Sequence, residues 1–468
     1  MPFYTGLKYR KNDSSTTKKK KARVIANLKE LRVDIQKHFK ESRTGAPEGK
    51  SVRIATWNIR DFGKKKYKGR SFEATYYIAE IISNFDILAL QEISADLKAF
   101  EKLVKILGPS WSYVATDVTD GSAGNQERMV FLYNTDKVLF RKIAGELTLK
   151  ENNKIRASFG ERVKLENGIK LDISTSELDL SGTYKAYTQT KKGISKLKED
   201  LEIKLPEDSK LSLPRDSILT IKKGTVIEKP GSGKAKVKLP KDIIEGRDYG
   251  LRFPENSFDD SLRQFARTPF LISFQTGWLK INLCTVHIYF GSNDIDKKLK
   301  QRQREIELLV KSLSDKAKNV NEFEEGSFLG VLGDFNIISS GHQTMKALEN
   351  NGFKVPDELK KVPGSNVKKD KAYDQIAFWN PEEQSRFTKL DVKAANVYDF
   401  FNVVFNKKDE AMYREEGHVY NGLKDTHRFD TWKTYKMSDH LPMWIELRTD
   451  FTEEYFDYLE EQNTDLNP

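Results

Sequence analysis

The chain has almost none of the features that secreted and membrane-embedded proteins rely on. Cysteine occurs once, at Cys284, in 468 residues. No disulfide can therefore form within a chain, whereas a secreted protein of this size often uses several. No apolar run approaches the ~18 residues of a membrane span, and the N-terminus lacks the apolar stretch that a signal peptide needs after its basic residues. These absences point to a cytoplasmic protein with no membrane partner.

Length and charge set the next bounds. A chain this long exceeds one average domain, so a large globular domain with something added to it is expected. The net charge of +11 would suit an anionic partner, but it is unevenly placed. Residues 1–50 hold 14 Lys/Arg against 5 Asp/Glu, and from Asp450 onward there is acid but no Lys or Arg. The body is thus nearly neutral and needs local patches or a metal to meet a phosphate. Lys18 to Lys21 end a polar stretch that reads as a disordered arm, either a solvated tail or a contact to a phosphate backbone. A helix with one buried face follows, from Val24, Leu28, Leu31 and Ile35 to Phe39.

From Ser51 short apolar runs alternate with helical spacing. Strands are predicted at Val52–Trp57, Ile87–Leu90, Tyr113–Thr116, Met129–Tyr133, Phe328–Leu332, Gln375–Phe378 and Pro442–Leu447, with a hairpin around Gly277 joining Phe270–Phe274 to Ile281–Tyr289. Helices are predicted over Tyr76–Phe85, from about Asp96 to the Gly108-Pro109 stop, and over Lys297–Ala317. Between them, residues 146–261 are polar, rich in Lys, Glu and Gly, with short alternating stretches such as Lys210–Leu213 and Ile218–Ile221. This segment reads as an inserted β-rich subdomain.

Six polar motifs recur in one setting, at or just after the end of an apolar strand. They are Ala55-Thr56-Trp57-Asn58-Ile59-Arg60, Leu88-Ala89-Leu90-Gln91-Glu92, Thr285-Val286-His287-Ile288-Tyr289, Gly330-Val331-Leu332-Gly333-Asp334-Phe335-Asn336, Tyr373-Asp374-Gln375-Ile376 and Met437-Ser438-Asp439-His440-Leu441-Pro442. Asn58 and Glu92 offer oxygen atoms of the kind a hard divalent cation prefers. Asp334 and Asn336, two apart, would share a face if the strand continued, where they could orient a water and hold a phosphate oxygen. Each motif alone has a bland reading: a surface carboxylate, a turn, a core histidine with its ring satisfied. Asp439 and His440 can both serve a site only from a loop, and Pro442 fits the start of the strand beyond it.

In order and setting the six motifs resemble the endonuclease/exonuclease/phosphatase family, which includes pancreatic deoxyribonuclease, abasic-site endonucleases, sphingomyelinases and inositol-phosphate phosphatases. The resemblance runs from about Val52 to Glu446 without the insert. Around Gln126-Glu127-Arg128-Met129 and Arg263-Gln264-Phe265-Ala266-Arg267-Thr268-Pro269 it looks similar to bacterial members. It implies an α/β (α+β) four-layer sandwich, two packed mixed β-sheets flanked by helices, formed by residues 51–145 and 262–448. The arm and helix of 1–50, the insert of 146–261 and the acidic tail of 449–468 would then be additions. It also implies Asn58, Glu92 and Asp439 near a Mg²⁺ (or Mn²⁺) ion, Asp334 and Asn336 on nucleophile and phosphate, and His440 with Asp374 as an acid/base pair. A second histidine paired with glutamate, here His287 with Glu127, marks deoxyribonuclease-like members. The expected activity is metal-dependent hydrolysis of phosphodiesters, with nucleic acid as partner and DNA ahead of RNA. The insert could bind nucleic acid, recruit a protein partner or simply decorate the surface, since long insertions are thermodynamically tolerable. A phosphatase of lipid or small phosphate esters, and a catalytically silent scaffold acting through the insert, are the competing readings.

Overall fold

The computed structural model describes residues 1–43, 50–64, 69–118, 127–148, 265–290, 296–318, 327–380, 389–416 and 428–464, with ten short strands between 162 and 252. Lys210–Leu213, Gln126, Arg263 and Gln264 lie outside the described residues. The chain forms two compact units, Met1–Thr148 with Phe265–Pro468, and Leu149–Gln264.

In the large unit, α1 (Ser15–Ser42) precedes β1 (Ser51–Phe62), α2 (Phe72–Ile82), β2 (Ile87–Ser94), α3 (Lys98–Leu107), β3 (Trp111–Ala115), β4 (Glu127–Asn134) and β5 (Leu139–Glu146). The small unit contributes β6 (Arg162–Lys164), β7 (Lys170–Asp172), β8 (Glu177–Asp179), β9 (Tyr187–Gln189), β10 (Ser195–Leu197), β11 (Leu201–Lys204), β12 (Ile218–Ile221), β13 (Val226–Ile227), β14 (Lys236–Lys238) and β15 (Tyr249–Arg252). They pair into three sheets, β14-β8-β7-β6, β13-β10-β9 and β11-β12-β15. The large unit resumes with β16 (Phe270–Thr276), β17 (Leu279–His287), α4 (Asp296–Ala317), β18 (Phe328–Asp334), α5 (Gln343–Leu348), β19 (Phe353–Lys354) and α6 (Asp357–Lys360). It ends with β20 (Asp374–Trp379), β21 (Val392–Val397), α7 (Glu410–Glu415), α8 (Arg428–Lys436), β22 (Met443–Arg448) and α9 (Thr452–Thr464).

Two mixed sheets of six strands, β21-β22-β1-β2-β4-β3 and β19-β20-β18-β17-β16-β5, pack on one another and are flanked by helices. Each is built around a single parallel pair, β1 with β2 and β17 with β18, bordered by antiparallel neighbours. A parallel pair needs a crossover, and α2 and α4 supply it. The central strands are covered on both faces, which is why they read as unbroken apolar runs: Ile87, Leu88, Ala89 and Leu90 are all fully buried. The hairpin between β16 and β17 turns at Gly277, φ +55°, where a Cβ would stand 2.4 Å from the Thr449 carbonyl oxygen. Among the described residues, no helix is long and apolar enough to cross a membrane.

The lysine run departs from the sequence reading of a disordered arm. It lies inside α1, whose first turn is capped by the Ser14 side chain accepting from the Thr17 N–H. Lys21 is buried, with its ammonium 2.7 Å from Asp13 and donating to the Lys8 carbonyl. The same face of α1 buries Val24, Leu28, Leu31, Ile35 and Phe39, each worth ~1.5–3 kcal/mol of transfer energy. Helix propagation from that anchored stretch back to the cap costs little, so the lysines follow.

Candidate active site

All the chemistry-bearing motifs reach the same end of the two sheets, because strand direction requires it. Asn58, Glu92, His287 and Asp334 lie at the carboxyl ends of the two parallel pairs, while Glu127 and Asp374 begin β4 and β20, the antiparallel neighbours that start where the parallel strands finish. His440 sits three residues ahead of β22.

The ends of these strands are irregular, and the irregularity aims the side chains. Between Asn58 and Phe62 on β1, and between Leu90 and Ile93 on β2, the register shifts. Arg60, Asp61 and Glu92 take positive φ values of 41°, 49° and 63°. Bulges of this kind redirect a side chain out of the pleat, and they persist only where surroundings hold them. Here the Asp61 N–H donates to Glu92 Oε2 at 2.8 Å and the Arg60 N–H to Asn58 Oδ1 at 3.0 Å. On β18, Gly333 at φ +145° has room for no side chain: a Cβ would stand 2.1 Å from the Val286 carbonyl oxygen on β17. That close approach brings Asp334 level with His287.

Two carboxylate–imidazole pairs face each other. His287 Nδ1 lies 2.8 Å from Glu127 Oε1, and His440 Nδ1 lies 2.7 Å from Asp374 Oδ2. In each ring the other nitrogen, Nε2, points at Asp334 Oδ2, at 3.6 Å from His287 and 3.8 Å from His440. All five side chains are buried. Burial opposes a charged imidazole at His440, but Asp374 and Asp334 outweigh it and hold the ring's pKa well above the ordinary histidine value. At His287 burial and the Arg267 cation pull down while Glu127 pulls up, for a smaller net rise. Glu127 is held below the usual carboxylate range, since His287 and Arg267 overcome its burial, whereas burial raises Asp374.

Asn58 links the pairs to the acidic end of the site: its Nδ2 donates to both Glu92 Oε1 and Asp334 Oδ2, each at 3.0 Å. Glu92, Glu127 and His287 form one group that could hold a metal ion, and Asp334, Asp374 and His440 another.

One sequence expectation changes in detail. Asn336 does not share a strand face with Asp334, because β18 ends at Asp334 and Asn336 is left-handed at φ 53°. Its backbone N–H caps Asp334 Oδ1 at 2.9 Å and its Nδ2 donates to the Ile288 carbonyl at 2.8 Å. Asp439, which the resemblance sets near the metal, comes from a loop, and its half-exposed carboxylate forms an ion pair with Arg60 at 3.0 Å.

Sequence reasoning passed over several supports. Arg267 forms an ion pair with Glu127 from inside the Arg-Thr-Pro motif. Arg302 on α4 is fully buried and donates to the Asn336 carbonyl at 2.8 Å, pinning the turn after β18. Ser438 Oγ donates to the Asn58 carbonyl at 2.6 Å and accepts the His440 N–H at 3.0 Å. A charged helix hides a buried arginine completely, whereas the Ser-Asp-His triplet could have suggested the serine as a loop brace.

No protein-family model and no curated protein matches the sequence. Solved structures do. An endonuclease/exonuclease/phosphatase family protein from Bacteroides thetaiotaomicron aligns at TM-score 0.40 and 14% identity, over 86% of this chain and 99% of that one. A mannosyl-6-phosphatase from the same organism aligns at TM-score 0.40 and 13% identity, over 85% and 99%. The catalytic domain of human Nocturnin aligns at TM-score 0.37 and 12% identity, over 87% and 97%. Identities this low say nothing of substrate. What the chain itself presents is a sandwich of two mixed six-stranded sheets in which the six motifs that resemble the endonuclease/exonuclease/phosphatase family converge on one buried cluster.

Proposed function

We propose that the chain is a divalent-metal-dependent hydrolase of phosphodiesters, and specifically a nuclease acting on DNA. The observation that carries this reading is the convergence of two carboxylate-oriented imidazoles on Asp334, with Nε2 nitrogens 3.6 and 3.8 Å from one carboxylate oxygen. Cleaving a phosphodiester calls for one group to take a proton from the attacking water and another to give one to the departing oxygen. A single histidine cannot perform both tasks at the same instant, and two histidines facing a common point suit them.

The donor set also fits a hard cation. Glu92 and Asp334 bring carboxylate oxygens, the ligands that Mg²⁺ or Mn²⁺ takes, to within 3.0 Å of the Asn58 amide nitrogen, and Asn58 would add its Oδ1, which accepts from the Arg60 N–H, only by turning its amide. Glu127 is already committed to Arg267 and His287, so Glu92, with Asn58 and Asp334 beside it, is the better candidate ligand, and Asp439 on the rim would contribute only after leaving Arg60. Such an ion would neutralise charge building up on the phosphate. His440, oriented by Asp374, takes the proton of a water held by Asp334 in the neutral form of its ring, which its raised pKa confines to higher pH, and His287, oriented by Glu127, protonates the departing oxygen. Asn336 braces Asp334 through its backbone N–H and keeps its amide oxygen for water or substrate.

The test is incubation of purified protein with supercoiled plasmid and with linear single- and double-stranded DNA, in Mg²⁺ or in EDTA, beside a Glu92→Ala/His440→Ala double variant. Cleavage that needs both the metal and the two residues is expected. No cleavage of any DNA, with turnover of RNA or of small phosphate esters instead, would replace the substrate and keep the chemistry, while inertness toward all of them would sink the hydrolase reading.

A further inference from the structure

Beside the acidic end of the site, outside the residues already given a role, a cavity of about 650 Å³ opens between the end of β1 and helices α2 and α3. That volume lies in the range of sites for small ligands or single residues of a polymer. Its charge is one-sided. Lys98, Lys102 and Lys105 line it from α3, and Lys64 and Arg70 from the stretch after β1, against Asp96 as the one carboxylate among the described residues. The three α3 lysines recur at i, i+4 and i+7, so they form a stripe along one face, while Phe100, Leu103 and Leu107 bury the other. Lys64 is paired with Asp61 at 2.8 Å and Lys98 lies 3.6 Å from Asp96. Among the described residues Lys102 and Lys105 form no ion pair within 4.0 Å. The floor is aromatic. Phe72, 47% exposed although large and apolar, packs T-shaped on Tyr76 with ring centroids 5.0 Å apart.

Unpaired cations along one wall and an exposed aromatic face at the base are the two elements that single-stranded nucleic acid requires, a track for phosphates and a surface on which a base can stack. The cavity is also tied to the reaction centre. Phe62, on its wall, follows Asn58 by four residues, hence lies within ~14 Å of it, and Asp61 bridges them, its N–H on Glu92 and its carboxylate on Lys64.

We propose that this α2–α3 cleft is an accessory binding site for a single strand of nucleic acid, which seats a base against Phe72 and runs its phosphates along Lys98, Lys102 and Lys105. The strand then enters the catalytic cluster past Glu92. This deepens the nuclease reading and takes its substrate class from it.

The probe is a fluorescein-labelled 20-mer of thymidylate, titrated with the full chain in EDTA at KCl concentrations from 50 to 300 mM and followed by anisotropy. Three lysine contacts to phosphates contribute a slope of about −2 in log K against log salt, at ~0.7 per phosphate for single strands. Lys98→Ala/Lys102→Ala/Lys105→Ala should therefore flatten the slope by about 2 and weaken binding on the order of 100-fold at 50 mM salt. Phe72→Ala should weaken it roughly 5- to 150-fold, the worth of one stacked base. Lys18→Ala/Lys19→Ala/Lys29→Ala, which removes the same charge from α1, should leave the slope near that of the wild type. The proposal is overturned if the α3 variant keeps the wild-type slope, if the α1 variant flattens it equally, or if Phe72→Ala binds as the wild type does. Tighter binding of duplex than of single strand would overturn it as well. Thermal melts of each variant separate lost binding from lost folding. Because binding in EDTA needs no turnover, a wild type that binds through the cleft and cleaves nothing sinks the hydrolase reading alone, and an active enzyme indifferent to the α3 lysines sinks the cleft alone.

Discussion

If His287 and His440 divide proton transfer between them, their losses must depend differently on the leaving group. Each Nε2 lies within 3.8 Å of Asp334 Oδ2, so the two nitrogens can be no more than about 7.4 Å apart, the sum of the two distances. A phosphate between them can have each nitrogen at ~3 Å from one of its oxygens, the reach a proton transfer needs. General acid/base groups contribute ~10²–10⁴-fold, or about 2.7–5.4 kcal/mol. On DNA, whose leaving alkoxide needs a proton, His287→Ala and His440→Ala should each lose at least ~10²-fold in kcat. On bis(p-nitrophenyl) phosphate, whose phenolate departs unaided, the acid is nearly superfluous. His287→Ala should then lose less than about tenfold while His440→Ala still loses ~10²-fold. Because both act on one reacting group, the double variant on DNA should fall well short of the product of the two single losses. Gln variants, closer in volume, guard against collapse of the buried cluster. Rescue of His440→Ala instead would exchange the two roles. Equal losses on both substrates, or near wild-type activity in both variants, would refute the division itself.

Two further outcomes follow from packing and burial. Gly333→Ala places a methyl group 2.1 Å from the Val286 carbonyl oxygen at a φ of +145°; strain and overpacking together should cost ~3 kcal/mol or more, read as a lower denaturation midpoint, and stability within 1 kcal/mol of wild type would contradict the geometry. Glu80 on α2 is buried, accepts from the Tyr4 hydroxyl, and burial pushes its carboxyl from 4.5 up to about 7. Arg32, 3.8 Å away and partly exposed, offsets little of this. Its raised pKa means that stability is fully present below pH 4.5 and lost as pH rises through about 7, by up to about 3 kcal/mol. Urea denaturation at pH 5 and pH 8 should show that loss in the wild type and a smaller one in Glu80→Gln; equal losses would show that Glu80 is not the group responsible.

The central strands were legible because burial on both faces leaves unbroken apolar runs, and the site was legible because polar residues stood at their ends. Ile87–Leu90 ahead of Glu92, and Phe328–Leu332 ahead of Asp334, show both signals in a few residues. Backbone irregularity was not legible. Nothing in Asp-Phe-Asn announces that Asn336 is left-handed and spends its amide N–H on Ile288, and strand periodicity assumes a regular pleat. Buried cations were hidden for a related reason: Arg267 and Arg302 look like surface charge in any window of sequence, and only the folded chain supplies Glu127 and the carbonyls around Asn336 as partners. The lysine run failed in the opposite sense. Local composition argues for disorder, but the Ser14 cap and the Lys21–Asp13 pair extend a helix anchored elsewhere.

Neither carboxylate–imidazole pair belongs to one sheet. Glu127 is on β4 of the first sheet and its histidine, His287, on β17 of the second; Asp374 is on β20 of the second and His440 precedes β22 of the first. The Asn58–Asp334 hydrogen bond crosses the same interface, and so does the buried bond from Gln91 Nε2 to Thr285 Oγ1 at 3.0 Å. Each sheet alone would carry half of two dyads. The face-to-face packing of apolar side chains between the sheets therefore also sets the imidazole orientation, and a tightly packed core yields little to small displacements. A substitution deep in that interface, far from any substrate, should loosen both pairs together, because the two histidines share the one structural element that neither sheet contains by itself.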